Sequence, residues 1–87
     1  MNFYVYVIKS IEKKSVTYVG YTNNIQKRIE QHNKGKGAKF TRGRKWKLIY
    51  KEVLESKSKA ISREYYIKNN RTLRDKIKNE HIYSTTL

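Results

Sequence analysis

The sequence predicts a small mixed α/β (α+β) domain, in which a three-stranded, largely antiparallel sheet is flanked by helices in the order ββαβαα. Three observations support this: two strand-like runs at hairpin distance, three segments preceded by helix-capping residues, and no repeat or proline-rich linker in 87 residues. A chain of this length has room for one modest core. We therefore expect a single domain over residues 1–82 and a frayed C-terminal tail over residues 83–87.

The strands are predicted from runs of β-branched and aromatic residues. Phe3–Ile8 (FYVYVI) is apolar or aromatic throughout, which is typical of a strand buried on both faces. The polar turn Glu12–Ser15 separates it from Val16–Tyr21 (VTYVGY), so we expect these two strands to pair antiparallel. Trp46–Val53 (WKLIYKEV) is the predicted third strand.

The helices are predicted from capping residues, whose side-chain oxygens accept from the free N–H groups of the first turn. Expected helices, with their caps in parentheses, are Asn24–Asn33 (Asn23 or Thr22), Lys57–Asn69 (Ser56) and Leu73–Glu80 (Thr72). Gly35 favours an end of the first helix near Asn33. Lys34–Arg44 contains three glycines and five cations, and we expect it to be a loop.

The charge balance favours a polyanionic partner. Twenty-one Lys and Arg residues stand against seven Asp and Glu residues, a formal charge of +14, and each neutralised phosphate releases counterions. The alternative is a Lys-rich composition that only keeps the protein in solution. The chain has no Cys, which excludes a disulfide framework and a Cys-ligated zinc site. It also lacks a membrane-spanning run or a signal-peptide pattern, so we expect a cytoplasmic protein without a membrane partner.

The first helix carries two polar residues in the stripe that should be buried. Counting from Ile25, positions i+3, i+4 and i+7 are Arg28, Ile29 and His32. Arg28 and His32 are four residues apart, so they point to one side of the helix and can converge on one ligand. The alternative is that both lie at the edge of the stripe and reach solvent.

A carboxylate is expected on the inward face of the second helix. Glu64 shares that face with Ala60 and Ile61, and a partly buried carboxylate needs a cation beside it. That cation is either a metal ion or Lys68 at position i+4.

Tyrosine is frequent in the predicted sheet. Of eight tyrosines in the chain, Tyr4, Tyr6, Tyr18 and Tyr21 fall on the first two strands, although a purely apolar core would use Phe there. Gly20 indicates a bulge or a close backbone approach. The alternative is that the hydroxyls reach the sheet edge and water.

The basic loop is the predicted contact to nucleic acid. Its glycines allow a phosphodiester backbone to come close, and its cations neutralise phosphates without reading bases. The residues that we expect to bind nucleic acid are Lys36, Lys39, Thr41, Arg42 and Arg44. An ordinary flexible basic loop is the alternative.

Taken in order, these blocks resemble the GIY-YIG nuclease superfamily, and in particular its short stand-alone bacterial members. The first signature reads Tyr4-Val5-Tyr6, and the second reads Tyr18-Val19-Gly20. The resemblance, over about residues 3–80, is completed by Tyr21–Arg28, His32-Asn33, Gly37–Arg44 and Ala60–Asn69. Tyr4 stands where the eponymous signature has glycine.

The resemblance implies phosphodiester hydrolysis with one divalent metal ion, Mg²⁺ or Mn²⁺. Glu64 would bind the metal ion, and Arg28 would neutralise charge that develops on the phosphoryl oxygens. Tyr6 would be the general base for the attacking water and Tyr18 would hold the water or the phosphate, or the two would exchange roles. His32 would contact the phosphate or assist the proton transfer. Because a phenol has a pKa of about 10, the base needs a nearby cation.

We therefore expect a metal-dependent endonuclease that acts on DNA and prefers a structure (branched, flapped or single-stranded) to a sequence. Two alternatives stay open. One is a non-catalytic nucleic-acid-binding module, and the other is a nuclease subunit that needs a partner protein for targeting. A homodimer is also left open by the sequence.

Overall fold

A computed structural model of the chain describes residues 2–80 as a three-stranded sheet with flanking helices. The elements are β1 (Phe3–Ser10), β2 (Thr17–Thr22), α1 (Ile25–Asn33), β3 (Trp46–Leu54), α2 (Lys57–Lys68) and α3 (Arg71–Glu80). The strand order is β2-β1-β3, and both pairs are antiparallel. The predicted fold class and element order are confirmed. The predicted tail, residues 83–87, and the domain end at residue 82 lie outside the described residues.

The central strand β1 is buried on both faces, as its composition predicts. Val5 and Val7 lie on one face in a cluster with residues of α2 and α3, whereas Tyr6 and Ile8 lie on the other face beside Trp46 and the isoleucines of α1. The four β1 side chains are at most 1% exposed. Because neighbouring residues of a strand point to opposite faces, the helices cover the sheet from two sides.

Two helix caps differ from the prediction by one or two residues. Asn24 caps α1 in place of Asn23 or Thr22, and its side chain accepts from a backbone N–H at 3.1 Å. Asn70 takes the same role at the start of α3 in place of Thr72, at 3.0 Å. Several good caps follow one another at both places, so preference alone does not choose between them.

The segment between α1 and β3 is compact, because Asn33 at the end of α1 is hydrogen-bonded to Trp46 at the start of β3. The Asn33 side chain donates to the Trp46 carbonyl at 3.3 Å and accepts from the Trp46 N–H at 2.6 Å. The Trp46 indole donates to the Thr41 carbonyl at 2.9 Å, and Lys39–Thr41 forms a 3₁₀ turn inside the predicted loop. Such ends-together loops are packed by their own side chains, and this one brings Thr41 against α1.

The α2–α3 corner lies beside the edge strand β2. Both α2 and α3 contact the sheet and each other, and Lys78 donates to the Ser15 carbonyl in the hairpin at 2.7 Å. Ser56 caps α2 as predicted. Among residues 2–80, none of the helices has the length and hydropathy that a membrane crossing requires.

Candidate active site

His32 is the hub of a buried chain of hydrogen bonds. Its side chain, on α1, has no exposed surface. Nε2 lies 2.8 Å from the hydroxyl of Tyr6 on β1, and Nδ1 lies 2.9 Å from Oγ1 of Thr41 in the 3₁₀ turn. The alternative in which His32 reaches solvent is therefore wrong, and so is the alternative in which the Tyr6 hydroxyl reaches water at the sheet edge.

The Thr41 hydroxyl sets the direction of these hydrogen bonds. Its single hydrogen is donated to the carbonyl of Ala38 at 2.9 Å, and its oxygen accepts from the N–H of Ala38 at 3.2 Å. Oγ1 is then left as an acceptor for His32, so that Nδ1 carries the imidazole hydrogen. Nε2 is consequently free to accept from the Tyr6 hydroxyl.

Two glycines make room for the rings of this chain. Gly20 lies directly across from Tyr6 in the β1–β2 register, and a Cβ there would stand 2.5 Å from the Tyr6 hydroxyl oxygen. A Cβ at Gly37 would collide with Nδ1 of His32. The close approach that the sequence indicates at Gly20 is thus confirmed, and its cause is the catalytic candidate Tyr6.

Burial shifts the pKa values of Tyr6 and His32 so that the neutral form of each is favoured. Desolvation raises the pKa of Tyr6 to about 12, although the Arg28 guanidinium acts in the opposite direction. Desolvation and, to a smaller extent, the positive charge of Arg28 lower the pKa of His32 to about 4. At neutral pH the phenol is protonated and the imidazole is uncharged, which matches the hydrogen-bond direction set by Thr41.

Arg28 borders the buried chain and stays half-exposed. Its guanidinium donates to Gln31 Oε1 at 3.1 Å and to the carbonyl of Gly37 at 3.3 Å. It also lines an open hollow of about 490 Å³ together with Lys27 and Lys57. Arg28 therefore presents a fixed positive charge between the buried chain and the surface.

Tyr18 covers the other side of His32. The two rings meet edge to face with centroids 5.1 Å apart, and Phe40 stacks on Tyr18 at 6.2 Å with an interplanar angle of 21°. Phe40 is 51% exposed, so an aromatic stack leads from the buried imidazole to solvent.

Glu64 completes the cluster from α2. Its side chain is 19% exposed and lies 3.5 Å from the Lys68 ammonium. The ion pair with Lys68, which the sequence offers as the alternative to a metal ion, is therefore present, although its distance is long. Its negative charge is one of the influences that raise the pKa of Tyr6. Within residues 2–80 no group of three or more His, Cys, Asp or Glu side chains could hold a metal ion. One largely covered carboxylate still fits Mg²⁺, because this ion often binds one or two carboxylates and completes its shell with waters and substrate phosphate oxygens.

The predicted nucleic-acid contacts divide into two groups. Lys36, Lys39 and Arg42 are exposed and line a shallow hollow of about 200 Å³ in the basic loop. Thr41 is fully buried and bonded to His32, so its position does not suit the surface contact that the sequence predicts. Arg44 is paired with Glu12 at 2.6 Å.

The fold and the cluster together define a class of protein. The family model of the GIY-YIG catalytic domain matches residues 2–78, and the chain belongs to this family. Members of the family are nucleases that generally use divalent metal ions, so the resemblance predicted from the signatures is confirmed.

More particular relatives are small bacterial proteins. The chain is 56% identical to a UPF0213 protein of Clostridium perfringens over 66 aligned residues. The alignment covers 75% of this chain and 69% of the relative. It is 50% identical to a UPF0213 protein of Staphylococcus haemolyticus over 75% of this chain and 78% of the relative. The solution NMR structure of the UPF0213 protein BH0048 from Bacillus halodurans is similar with a TM-score of 0.53 and 37% identity, over 91% of this chain and 84% of that one.

The sequence does not reveal the supporting roles of three residues. Asn33 closes the loop, Gly37 makes room for the imidazole, and Thr41 fixes the imidazole hydrogen. The adjacent polar pair His32-Asn33 at the end of α1 is the one sequence signal that could have indicated these roles. Its first member faces the site and its second faces the start of β3, a division that only the loop conformation reveals.

Proposed function

We propose that the chain is a metal-dependent endonuclease that hydrolyses phosphodiester bonds in cytoplasmic DNA and selects structure rather than sequence. The observation that carries this proposal is the buried chain of Thr41, His32 and Tyr6, which opens beside Arg28 and Glu64. One ion, Mg²⁺ or Mn²⁺, would be held by Glu64.

Tyr6 and His32 act as a pair in this proposal. With a pKa of about 12, Tyr6 is protonated at neutral pH and cannot act as a base on its own. Tyr6 is 1% exposed, so the attacking water would have to enter beside its hydroxyl when the substrate binds. The Tyr6 oxygen would then accept a proton of that water as its own hydrogen passes to Nε2 of His32, which is 2.8 Å away. The imidazole is uncharged at neutral pH, since its pKa is about 4, so Nε2 has a free lone pair for this proton. The same low pKa makes it a weak base, and the negative charge of a bound phosphate would raise that pKa during the reaction. His32 thus assists the proton transfer, and its complete burial does not suit a direct phosphate contact.

The residues proposed to contact the phosphate and stabilise its charge are those on the more exposed side of the cluster. Arg28, held by the Gly37 carbonyl, neutralises charge that grows on the phosphoryl oxygens. Tyr18 stands over His32 and positions the water or the phosphate. A divalent ion held by Glu64 would supply Lewis-acid stabilisation of the phosphate and the leaving oxygen.

The buried hydrogen bonds favour catalysis over a binding module. Binding a phosphate backbone needs exposed cations, which the loop supplies through Lys36, Lys39 and Arg42. Phosphate binding does not need a buried imidazole. Because a buried polar group costs free energy unless its partners are kept in place, the presence of this imidazole favours a catalytic role. A subunit that depends on a targeting partner stays the second candidate, since no feature of residues 2–80 selects a DNA sequence.

Cleavage of a labelled substrate panel tests this function. The panel contains duplex, single strand, 5′ flap, 3′ flap and four-way junction, each with Mg²⁺, Mn²⁺ or EDTA. Glu64→Gln should abolish metal-dependent cutting without weakening DNA binding. Glu55→Gln is the matched control, because Glu55 also pairs with a lysine four residues on but is well exposed. Unchanged cutting by Glu64→Gln would contradict the metal assignment, and no cutting by the wild type would favour the partner-dependent subunit.

A further inference from the structure

A second cationic surface lies outside the basic loop. A groove of about 320 Å³ runs between residues 15–19, which are the end of the hairpin connection and the start of β2, and the α2–α3 corner. Its charged side chains are Lys68, Arg71, Arg74, Asp75 and Lys78. We call it the edge groove. Four cations and one carboxylate give it a net charge of +3.

The cations of the edge groove keep their charge available. Arg74 donates to the Lys68 carbonyl, and Lys78 donates to the Ser15 carbonyl. A carbonyl oxygen orients a cation without cancelling its charge. The ion pair of Arg71 with Asp75 is long, at 3.7 Å, and the Arg71 side chain is 86% exposed. Such exposed pairs are worth little, so a phosphate can compete for Arg71.

The edge groove shares residues with the candidate active site or its immediate neighbours. Tyr18, whose ring contacts His32, is one of the residues that line the groove. Lys68, the ion-pair partner of Glu64, lines it as well. Phe40 of the basic loop stacks on Tyr18. The groove and the basic loop therefore both adjoin the cluster through Tyr18.

We propose that the edge groove binds the phosphodiester backbone of DNA beyond the scissile phosphate. The substrate strand would then extend from the basic loop, over Tyr18 and the cluster, and along β2 to α3. We expect recognition here to be independent of sequence, because the charged side chains of the groove are mostly Lys and Arg, whose contacts to phosphates position a strand without reading its bases. This inference rests on the proposed function.

Cations beside an edge strand also have a second known role, since they hinder edge-to-edge association of sheets. The two roles differ in what a substitution changes. If the cations only protect β2, removing one promotes self-association and leaves DNA binding unaffected. If they bind DNA, affinity and its salt dependence change while the chain keeps its oligomeric state.

Binding measurements with charge changes of both signs test the proposal. A labelled single-stranded DNA of mixed sequence is titrated in EDTA, which prevents metal-dependent cutting, at several salt concentrations. Arg71→Gln should lower the salt slope by about 0.7 and weaken binding about fourfold at physiological salt. Asp75→Asn should strengthen binding by a similar factor. Neither change disturbs buried packing, because both side chains are largely exposed.

Lys59→Gln and Glu55→Gln are the matched controls, since this ion pair on α2 is also exposed and also spaced by four residues. Effects of Arg71→Gln and Asp75→Asn no larger than those of the controls would overturn the proposal, as would an absence of DNA binding by the wild type. A lowered slope for Arg71→Gln without cleavage in the substrate panel would overturn the proposed function alone. Size-exclusion chromatography of Arg71→Gln identifies the edge-protecting role, and self-association with unchanged affinity would count against the proposal.

Discussion

The buried chain of His32 and the basic loop are neighbours in space, yet they are built on opposite principles. In the buried chain, Tyr6, His32 and Thr41 are at most 1% exposed, and each polar atom has an assigned partner. In the loop, Lys36 and Lys39 extend into solvent. One region depends on geometry and neutral forms, whereas the other depends on charge and tolerates movement.

This difference separates two kinds of evidence for function. Exposed cations are common and keep many proteins in solution, so they indicate a polyanionic partner without naming a reaction. A buried and fully bonded imidazole is harder to explain by packing alone, since an apolar side chain of similar volume would fill the space without a partner. Reactivity should therefore fail when the buried chain is changed, and affinity should fail when the loop is changed.

The largest effect is expected from removing the proton acceptor. His32→Gln keeps a polar side chain but cannot take the proton of Tyr6, so we expect a loss of about 10²- to 10⁴-fold in cleavage rate, the usual contribution of a general acid–base group. DNA affinity should change little. Single-turnover cleavage and binding in EDTA measure the two quantities on the same preparations.

Thr41 sharpens this test because its hydroxyl joins His32 to the backbone of Ala38. Thr41→Val removes the acceptor of the Nδ1 hydrogen and should slow cleavage, whereas Thr41→Ser keeps the hydroxyl and should restore much of the rate. Equal rates for both variants would show that the tautomer set by Thr41 does not matter. A parallel fall in affinity would show that the loop conformation had changed instead.

Affinity should respond most to the loop. Neutralising Lys36, Lys39 and Arg42 together removes up to three phosphate contacts, so the salt slope should fall by about 2 to 3 and binding should weaken roughly a hundredfold at physiological salt. The cleavage rate at saturating protein should stay near that of the wild type. A lower saturated rate with unchanged affinity would reverse the division between the two regions.

The fold could be predicted from the sequence because its signals are local. The apolar run of β1, the cap Ser56 and the stop at Gly35 each act within a few residues, and the structure has each where expected. The caps Asn24 and Asn70 were missed by one or two positions, since neighbouring residues offer the same chemistry.

The candidate site was predictable only in part. The helical spacing of Arg28 and His32 was enough to place both on one side of α1, but not to show that His32 is buried and Arg28 is not. Burial depends on how residues 34–45 fold back, which is fixed by the contact of Asn33 with Trp46 across that segment. For the same reason Thr41 looked like a surface residue of a basic loop.

The burial of His32 also predicts how stability depends on pH. Its pKa is about 4 in the folded chain and about 6.5 when unfolded, so the unfolded chain binds more protons between these values. Stability is complete above pH 6.5 and falls as the pH falls towards 4, by about 2 kcal/mol at pH 5. Urea unfolding at pH 7 and pH 5 should show this loss in the wild type and not in His32→Gln. Equal losses in both would assign the pH dependence to other groups.

The smallest effect is expected at Arg44, where the two regions meet. Its guanidinium is paired with Glu12 at 2.6 Å and lies 5.6 Å from the centre of the Phe40 ring, so much of its charge is already used. Arg44→Gln should cost less than about 1 kcal/mol of stability and lower the salt slope by less than Arg42→Gln does. Glu12→Gln should tighten DNA binding slightly, because it releases Arg44. If Arg44→Gln instead weakens binding as much as Arg42→Gln, the Glu12 pair opens in the complex and Arg44 belongs functionally to the exposed loop, as the sequence alone predicts.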